Sequence, residues 1–277
     1  MRLHVGCAMW THKAWQTRTA RQGLASYAGW CNAVEGNTTF YATPARRTVA
    51  SWAQQTDPTF RFVIKLPRTI THEHRLHDVD DQLRAFLAAM EPLGTRAHAL
   101  WIQLPGSFGP SELSTLAAFL RRLPTAHRYA VEIRHRAFFD DPRSTSMLER
   151  VLATAAAEWV PFDTTQLFAS RPTSDAERDA WTRKPRLPLR SCALTDRPIV
   201  RYLGRDSSAR TIEGWQRWVD TVVEWLREGR SPTMFIHTPD NADALVLARR
   251  FHDEVRSRLP GLEELPQPAP EQAPTLF

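Results

Sequence analysis

A chain of 277 residues with 42% hydrophobic content is long enough to bury a substantial core, in one large domain or two small ones. Its formal net charge of +6 favours anionic partners, but only Lys13, Lys65 and Lys184 among its 36 basic residues are lysine, and an arginine-skewed composition accounts for much of that signal. No apolar run approaches the roughly 20 residues of a membrane span, and MRLHVGCAMW at the start is no secretory signal, so a cytoplasmic protein with no membrane partner is expected.

Short apolar runs alternate with longer amphipathic stretches, the pattern of βα units around a parallel sheet. In chain order the predicted strands are LHVGCAMW (3–10), AVEGNTTF (33–40), RFVIKLP (61–67), HALWIQLP (98–105), RYAVEIRH (128–135), EWVPFDT (158–164), PIVRYLG (198–204) and TMFIHTPD (233–240). Between them lie helical patterns such as VDDQLRAFLAAMEPLG, closed by Gly94 as C-cap, and SELSTLAAFLRRLP, with Ser111 and Ser114 as N-cap candidates and Pro124 as the stop. Eight such units predict a TIM-barrel-like (β/α)8 fold in a single domain over residues 1–260. No G-x-G-x-x-G turn follows the first strand, which argues against a doubly wound nucleotide-binding sheet. Residues 165–197 form a basic insertion after strand six, expected to cover the mouth as a lid with Arg171 or Lys184 reaching inward. Residues 261–277 read as a flexible Pro-rich tail.

The stretch VEGNTTFY (34–41) alternates polar and apolar residues inside a segment that ought to be buried on both sides. In a barrel, alternate side chains of a strand face the helices and the interior. The polar set comprises Glu35 and Asn37, Lys65, Gln103, Glu132 and Arg134, Asp163, Arg201 and His237, nearly all toward the C-terminal end of their strand. The opposite set, including Val34, Phe62, Ile64, Leu100, Ile102, Val131, Ile133, Phe162, Tyr202 and Ile236, is apolar and is assigned to the helix-facing side. The polar residues should therefore converge on the C-terminal mouth, where barrels of this kind build their sites. Satisfied ionic networks also occur inside barrels, and that bland alternative stays open. Lys65 is the most pointed residue: where arginine is the default, a lysine inside FVIKLP suggests a need for a compact, titratable ammonium.

The candidate catalytic residues are Glu35, Lys65, Glu132 and Asp163. Candidate substrate-binding residues are Asn37, Tyr41, His72, Gln103, Arg134, Arg171, Arg201 and His237. His72, His135 and His237 with Glu35, Glu132 and Asp163 are ligand types for a metal, but no H-E-x-x-H or similar spacing groups them, so no metal is assigned and the cofactor is left open. Cys7, Cys31 and Cys192 lie far apart and are expected to be reduced, buried thiols. Trp10, Trp15, Trp52 and Trp101 read as packing rather than as a stacking platform for bases, and no G-x-S-x-G elbow is present.

VEGNTTFYATP, FRFVIKLPRTITH, WIQLPGSFGP, VEIRHRAFF, ASRPTSDAERDAWTRKPRLP, PIVRYLG and FIHTPDNADA together resemble, in order and over nearly the whole chain, the YecE-like family, domain of unknown function 72. The resemblance implies a TIM-barrel-like fold and supplies no function. It matches the family's recurring motifs at Glu35, Asn37, Thr39, Phe40, Tyr41, Lys65, Thr71, His72, Gln103, Pro105, Glu132, Arg134, His135, Asp163 and Arg201. It departs from them at His237, Thr238 and Asn241, and at Leu203-Gly204.

Two classes of function are consistent with these residues. One is an enzyme that binds a phosphate-bearing or nucleic-acid-related substrate through Lys65, Arg134 and Arg201, with hydrolysis or isomerisation by acid/base chemistry at Glu35, Glu132 or Asp163. The other is a non-catalytic, nucleic-acid-associated accessory protein recruited through its tail. Gln272-Ala273-Pro274-Thr275-Leu276-Phe277 resembles the Gln-x-x-Leu-Phe peptides that engage the DNA sliding clamp, with Leu276 and Phe277 one residue later than that spacing.

Overall fold

In the computed structural model, which describes residues 1–16 and 23–268, the strands form one parallel sheet. The strands are β1 (His4–Cys7), β2 (Ala33–Gly36), β3 (Arg61–Lys65), β4 (Ala97–Gln103), β5 (Tyr129–Glu132), β6 (Glu158–Trp159), β7 (Phe162–Asp163), β8 (Ile199–Leu203) and β9 (Thr233–His237). Across the sheet they run β6-β5-β4-β3-β2-β1-β9-β8-β7. Every expected strand has a counterpart, and the sixth is divided in two. Proline has no N–H to give a ladder, and Pro161 breaks the run. Before the break, the Val160 amide donates to the Val131 carbonyl at 2.9 Å; after it, the Pro161 carbonyl accepts from the Arg201 amide at 3.0 Å. One short run therefore supplies both ends of the sheet. Glu132 on β5 lies 3.4 Å from Arg201 on β8, which requires the sheet to curl until strands distant in its order meet. The result is a TIM-barrel-like α/β fold with helices on the outside.

Alternation along the strands divides the apolar residues into two layers. Val34, Phe62, Ile64, Leu100, Ile102, Val131, Val200, Tyr202 and Ile236 pack with the helices in the main core. Ala33, Val63, Ala99, Trp101, Ala130, Val160, Ile199 and Phe235 form a separate cluster on the inner face. Trp10 packs edge-on against Trp52 with ring centroids 5.2 Å apart, and Trp15 stacks on Tyr27 at 6.3 Å, so these indoles are packing groups. Gly6 on β1 is forced by this closeness, since a Cβ there would lie 2.1 Å from the Ala33 carbonyl oxygen.

Several local expectations change. The strand expected over 33–40 ends at Gly36, because Asn37 turns into the αR region (φ −78°, ψ −28°) and Thr38–Tyr41 is helical. The Thr39 hydroxyl lies 2.9 Å from the Gly36 carbonyl and 2.7 Å from that of Lys65, so it donates into the turn and holds it against β3. The helix Leu113–Arg122 is not capped by Ser111 or Ser114; its entry is fixed by Glu112, whose carboxylate accepts from the Gly109 amide at 3.0 Å. Gly94 (φ +53°) lies in a 3-10 turn, Glu91–Arg96, rather than capping the helix Asp80–Met90. Cys7 and Cys31 are buried, but Cys192 is exposed. The tail expected to be flexible from residue 261 is docked at its start, with Leu262 and Leu265 buried and the Glu263 amide donating to the Met1 carbonyl at 3.1 Å. Leu276 and Phe277 lie outside the described residues.

The long connection from β7 to β8 contains the helix Asp175–Arg183 and is fixed by an ion pair that sequence pattern does not reveal. Arg205, just past β8, is buried, and its Nε donates to Glu177 at 3.0 Å while a second nitrogen also pairs with Glu177. The other guanidinium hydrogens go to the Ser170 carbonyl at 2.8 Å, the Ser170 hydroxyl at 2.7 Å and the Arg171 carbonyl at 2.8 Å. Burial works against ionisation of Glu177, but Arg205 and the Thr173 and Asp206 amides outweigh it and hold the carboxyl below its ordinary value.

Removing one partner of a buried, fully bonded pair leaves the other uncompensated, so Arg205→Met should cost about 3–5 kcal/mol of stability. Urea unfolding measures the loss. Limited trypsin digestion should show faster cleavage at Arg178, Arg183 and Arg186; unchanged cleavage there would mean that the pair does not hold this connection.

Candidate functional site

The inner face changes character along its length. Above the apolar cluster, toward the C-terminal ends of the strands, lies a ring of charge built by β2, β3, β4, β5, β8 and β9. Glu35 is fully buried. Its Oε1 lies 2.7 Å from Lys65 Nζ and 3.3 Å from Arg201 Nη2, and its Oε2 lies 2.8 Å from His237 Nε2. Lys65 also donates to Gln103 Oε1 at 3.0 Å. Arg201 reaches on to Glu132 Oε2 at 3.4 Å, and Arg134 Nε donates to Glu132 Oε1 at 2.6 Å. Beneath the cations lie aromatic faces. Lys65 Nζ is 4.8 Å from the centroid of Trp101, and the Arg201 guanidinium is 4.3 Å from that of Phe162.

Of the expected site residues, Glu35, Lys65, Gln103, Glu132, Arg134, Arg201 and His237 come together. Asp163 does not. The alternation runs on through Pro161: Val160 lies in the inner cluster, so Phe162, paired with Arg201, also faces inward, and Asp163, paired with Tyr202, faces the helices. There its carboxylate accepts from Trp218 Nε1 at 2.7 Å and from the Thr165 amide at 2.9 Å. The assignment of Phe162 to the outer layer and Asp163 to the site is therefore reversed, and Asp163 is a structural acceptor. Arg171 is exposed and contributes its carbonyl to Arg205, so it does not reach the ring. Lys184 is the residue of the long connection whose charge acts on the ring, at Arg201, Arg134, Glu35 and Glu132. Arg178 and Arg183 are paired with Asp175 and Asp179 of their own helix, and Arg190 lies over Trp159, so a general basic lid is not what this segment forms.

Asn37, Tyr41 and His72 sit at the rim. Asn37 donates to the Ala8 carbonyl at 2.8 Å, and Tyr41 is 76% exposed, unusual for so large an aromatic side chain. Phe40 packs edge-on between Tyr41 and His72, with centroids at 5.3 and 5.0 Å. His72 Nδ1 lies 2.9 Å from the Thr71 hydroxyl.

The electrostatics follow from burial and from the company each group keeps. Burial raises the Glu35 carboxyl, but Arg201, Lys65 and His237 outweigh it and hold the group well below its ordinary value. Glu132 is likewise held low, its burial overcome by Arg134, Arg201 and Lys65. Both are carboxylates at neutral pH. Burial, helped by Arg201, pushes Lys65 down to about 8, and Glu35 and Glu132 only partly restore it. Burial lowers His237 to about 4 against the pull of Glu35, and burial with Arg134 and Arg68 lowers His72 to about 4. His237 is thus neutral. A carboxylate can only accept, so the Nε2 hydrogen points at Glu35, and the 3.5 Å approach of Arg201 Nε to the same nitrogen is packing.

Two carboxylates face three cations in the ring, and Lys184 adds a fourth positive charge nearby. Arg134, with a fifth of its side chain exposed, is the cation that meets solvent. Among the described residues no three His, Cys, Asp or Glu side chains are grouped so as to hold a metal ion. A groove of about 1200 Å³ lies elsewhere, on the outer surface between the helices Leu113–Arg122 and Pro142–Thr154. Size alone would favour that groove, but it lacks a buried cluster of titratable groups, and such clusters mark chemistry better than volume does.

The chain is 37% identical to the UPF0759 protein YecE of Escherichia coli K12 over 264 residues, 95% of this chain and 96% of that protein, and equally so to the YecE of strain O157:H7. Two crystal structures of a DUF72 family protein from Enterococcus faecalis V583 superpose with TM-scores of 0.70 and 0.65 at 19% and 17% identity, covering 92% and 91% of this chain and 95% and 98% of theirs. At that identity the likeness speaks for the fold. No helix of the described residues is long and apolar enough to cross a membrane. The family model for the protein of unknown function DUF72 matches residues 4–273, and with the E. coli relatives it establishes that this chain belongs to the DUF72 family.

Proposed function

We propose that the mouth binds a small ligand bearing a phosphate or carboxylate group and carries out acid/base chemistry on it, with Lys65 as the proton carrier. The observation behind this reading is the excess of buried and half-buried cations over carboxylates around a lysine pushed down to about 8. A purely structural network gains nothing from surplus positive charge, whereas an anionic ligand completes the ring. A lysine near 8 exchanges a proton close to working pH, as catalytic acids and bases do.

Arg134 and Lys184 are placed to meet the anionic group, and Tyr41, Phe40 and His72 to flank the rest of the ligand. Glu35 is clamped by three partners and sealed from solvent. Its role is to position Lys65, Arg201 and His237, and Glu132 does the same for Arg134 and Arg201. The reaction class we assign is hydrolysis or isomerisation. We also read residues 158–163 as a single sixth stave, split by Pro161, of a closed (β/α)8 barrel, with the connection after it as an insertion at the mouth. A nucleic-acid-associated binder would share the cationic excess, but would make no use of a titratable lysine beneath it.

The test is a panel of phosphorylated and carboxylated small molecules together with short oligonucleotides, assayed for thermal stabilisation and turnover. A small anion should stabilise the wild type. Arg134→Met should weaken its binding by about ten- to a hundredfold, the value of a lost charged hydrogen bond. Lys65→Met should stay folded by circular dichroism and lose turnover. If only oligonucleotides bind, and Lys65→Met binds them as the wild type does, the enzyme reading fails.

Two pH measurements check the electrostatics directly. With three lysines in the chain, the 13Cε resonances of labelled protein should resolve one titrating near 8; a Lys65 midpoint at its ordinary value of 10.5 would remove the proposed proton carrier. His237 binds its proton less readily folded than unfolded, so its stability contribution is complete above 6.5 and is lost as pH falls toward 4. The urea midpoint should therefore drop between pH 7 and 5, and less steeply in His237→Gln; equal slopes would mean that His237 is not a neutral partner of Glu35.

A further inference from the structure

The N-terminal ends of the strands carry a second concentration of positive charge. His4 opens β1, Arg61 opens β3, His98 is the second residue of β4, and Arg128 directly precedes β5. Arg61 Nη1 donates to the Ser231 carbonyl at 3.0 Å and the Thr233 hydroxyl at 2.9 Å, and its Nη2 donates to the Ser231 hydroxyl at 2.7 Å. Arg128 Nη1 is 3.0 Å from His98 Nε2, which must accept, and its Nη2 makes long contacts at 3.5 Å to the Thr195 hydroxyl and 3.4 Å to the Arg197 carbonyl. These partners are all neutral. Among the described residues no carboxylate forms an ion pair with either guanidinium.

The nearby acids are engaged elsewhere. Glu158 accepts from the Trp159, Leu194 and Thr195 amides and from the Thr195 hydroxyl, and exposed Asp196 is paired with Arg197 at 3.5 Å. Burial, with Arg128, Arg197 and Arg2, presses Arg61 down to about 9 against the pull of Asp196, and burial with Arg197 lowers Arg128 against that of Asp196 and Glu158. A guanidinium still stays charged at neutral pH, so two half-buried charges act on each other with no ion-pair partner among the described residues. The histidines near them are kept neutral: burial with Arg61 lowers His4 to about 2, and burial with Arg61 and Arg128 lowers His98 as well. His4 is 3% exposed, and its Nδ1 has no hydrogen-bond partner.

We propose that this end of the barrel is a second, anion-binding site, in which Arg61 and Arg128 grip a phosphate-type oxyanion. The guanidinium hydrogens not used by protein partners supply charge-assisted donors, and the anion supplies the missing negative charge. Arg128 also lines the outer groove, with Leu123, Tyr129, Met147 and Val151 beyond it. An apolar body attached to the phosphoryl group would lie there. The site is at the opposite end of the strands from the Glu35 ring and does not depend on the function proposed for that ring.

Calorimetric titration of the full chain with inorganic phosphate and with phenyl phosphate, against sodium chloride of equal ionic strength, tests the proposal. Both ligands should bind the wild type, and both should still bind Arg134→Met, in which the anion contact proposed at the mouth is removed. Arg128→Met should weaken binding by about tenfold or more, and Arg61→Lys, which keeps the charge and loses the fork, should weaken it less. In phosphate-free buffer Arg128→Met should be no less stable than the wild type, since it removes a half-buried charge that has no ion-pair partner. Phenyl phosphate binding more tightly than phosphate identifies a phosphoryl group on an apolar body as the ligand, and equal affinities identify the free anion. No phosphate heat beyond that of chloride, or undiminished affinity in folded Arg128→Met and Arg61→Lys, overturns the site.

Discussion

The Glu35 carboxylate is the interaction on which the upper half of the molecule depends. A fully buried carboxylate is tolerable only if its charge is met, and here three strands besides its own meet it: β3 through Lys65, β8 through Arg201 and β9 through His237. Arg201 then carries the connection to Glu132 on β5. Glu35 and Lys65 join ladder neighbours, but the bonds from Glu35 to Arg201 and His237 and from Arg201 to Glu132 cross the inside of the curled sheet and tie together strands that share no backbone hydrogen bond. They also set the titration of Lys65 and fix the hydrogen of His237. Structure and candidate chemistry therefore rest on the same few contacts.

A layered interior makes this arrangement possible. The apolar cluster around Ala33, Val63, Ala99 and Phe235 fills the middle, and Trp101 presents its face to Lys65 above it. An aromatic face attracts a cation without accepting its proton, so it supports Lys65 and Arg201 from below while leaving their hydrogens for the carboxylates and a ligand. The apolar plug also sets the two basic regions apart, one at each end of the strands.

Much of this was legible in the chain. Strand positions followed from apolar runs at βα spacing, and the inward set from alternation, because a period of two leaves one reading once a single buried charge is placed. Reading failed where the register was anchored on the wrong residue or the strand stopped short. In EWVPFDT the polar Asp163 reads as inward-facing, but Val160 faces inward, and by unbroken alternation Phe162 faces inward with it and Asp163 faces the helices; Gly36-Asn37 ends a strand that the pattern alone would continue. Val160, two residues before Phe162, was the available signal. Arg205 with Glu177, and Arg61 with Arg128, carried no such signal. Each pair joins segments far apart in sequence, and nothing local separates a buried arginine from the many exposed ones in an arginine-rich chain.

The divided run at residues 158–163 has a mechanical meaning. Around the rest of the sheet each strand is hydrogen-bonded to both neighbours along its length, but here the first half grips only β5 and the second half only β8. Any load that tries to widen the curl passes through two peptide units, Val160 and Pro161, covalently rather than through a ladder. The sheet has a covalent seam, and a stiff one, because proline locks its own φ and restricts the residue before it. The connection carrying Lys184 leaves the sheet immediately after the seam, so the strand from which it departs is held by a ladder to β8 alone.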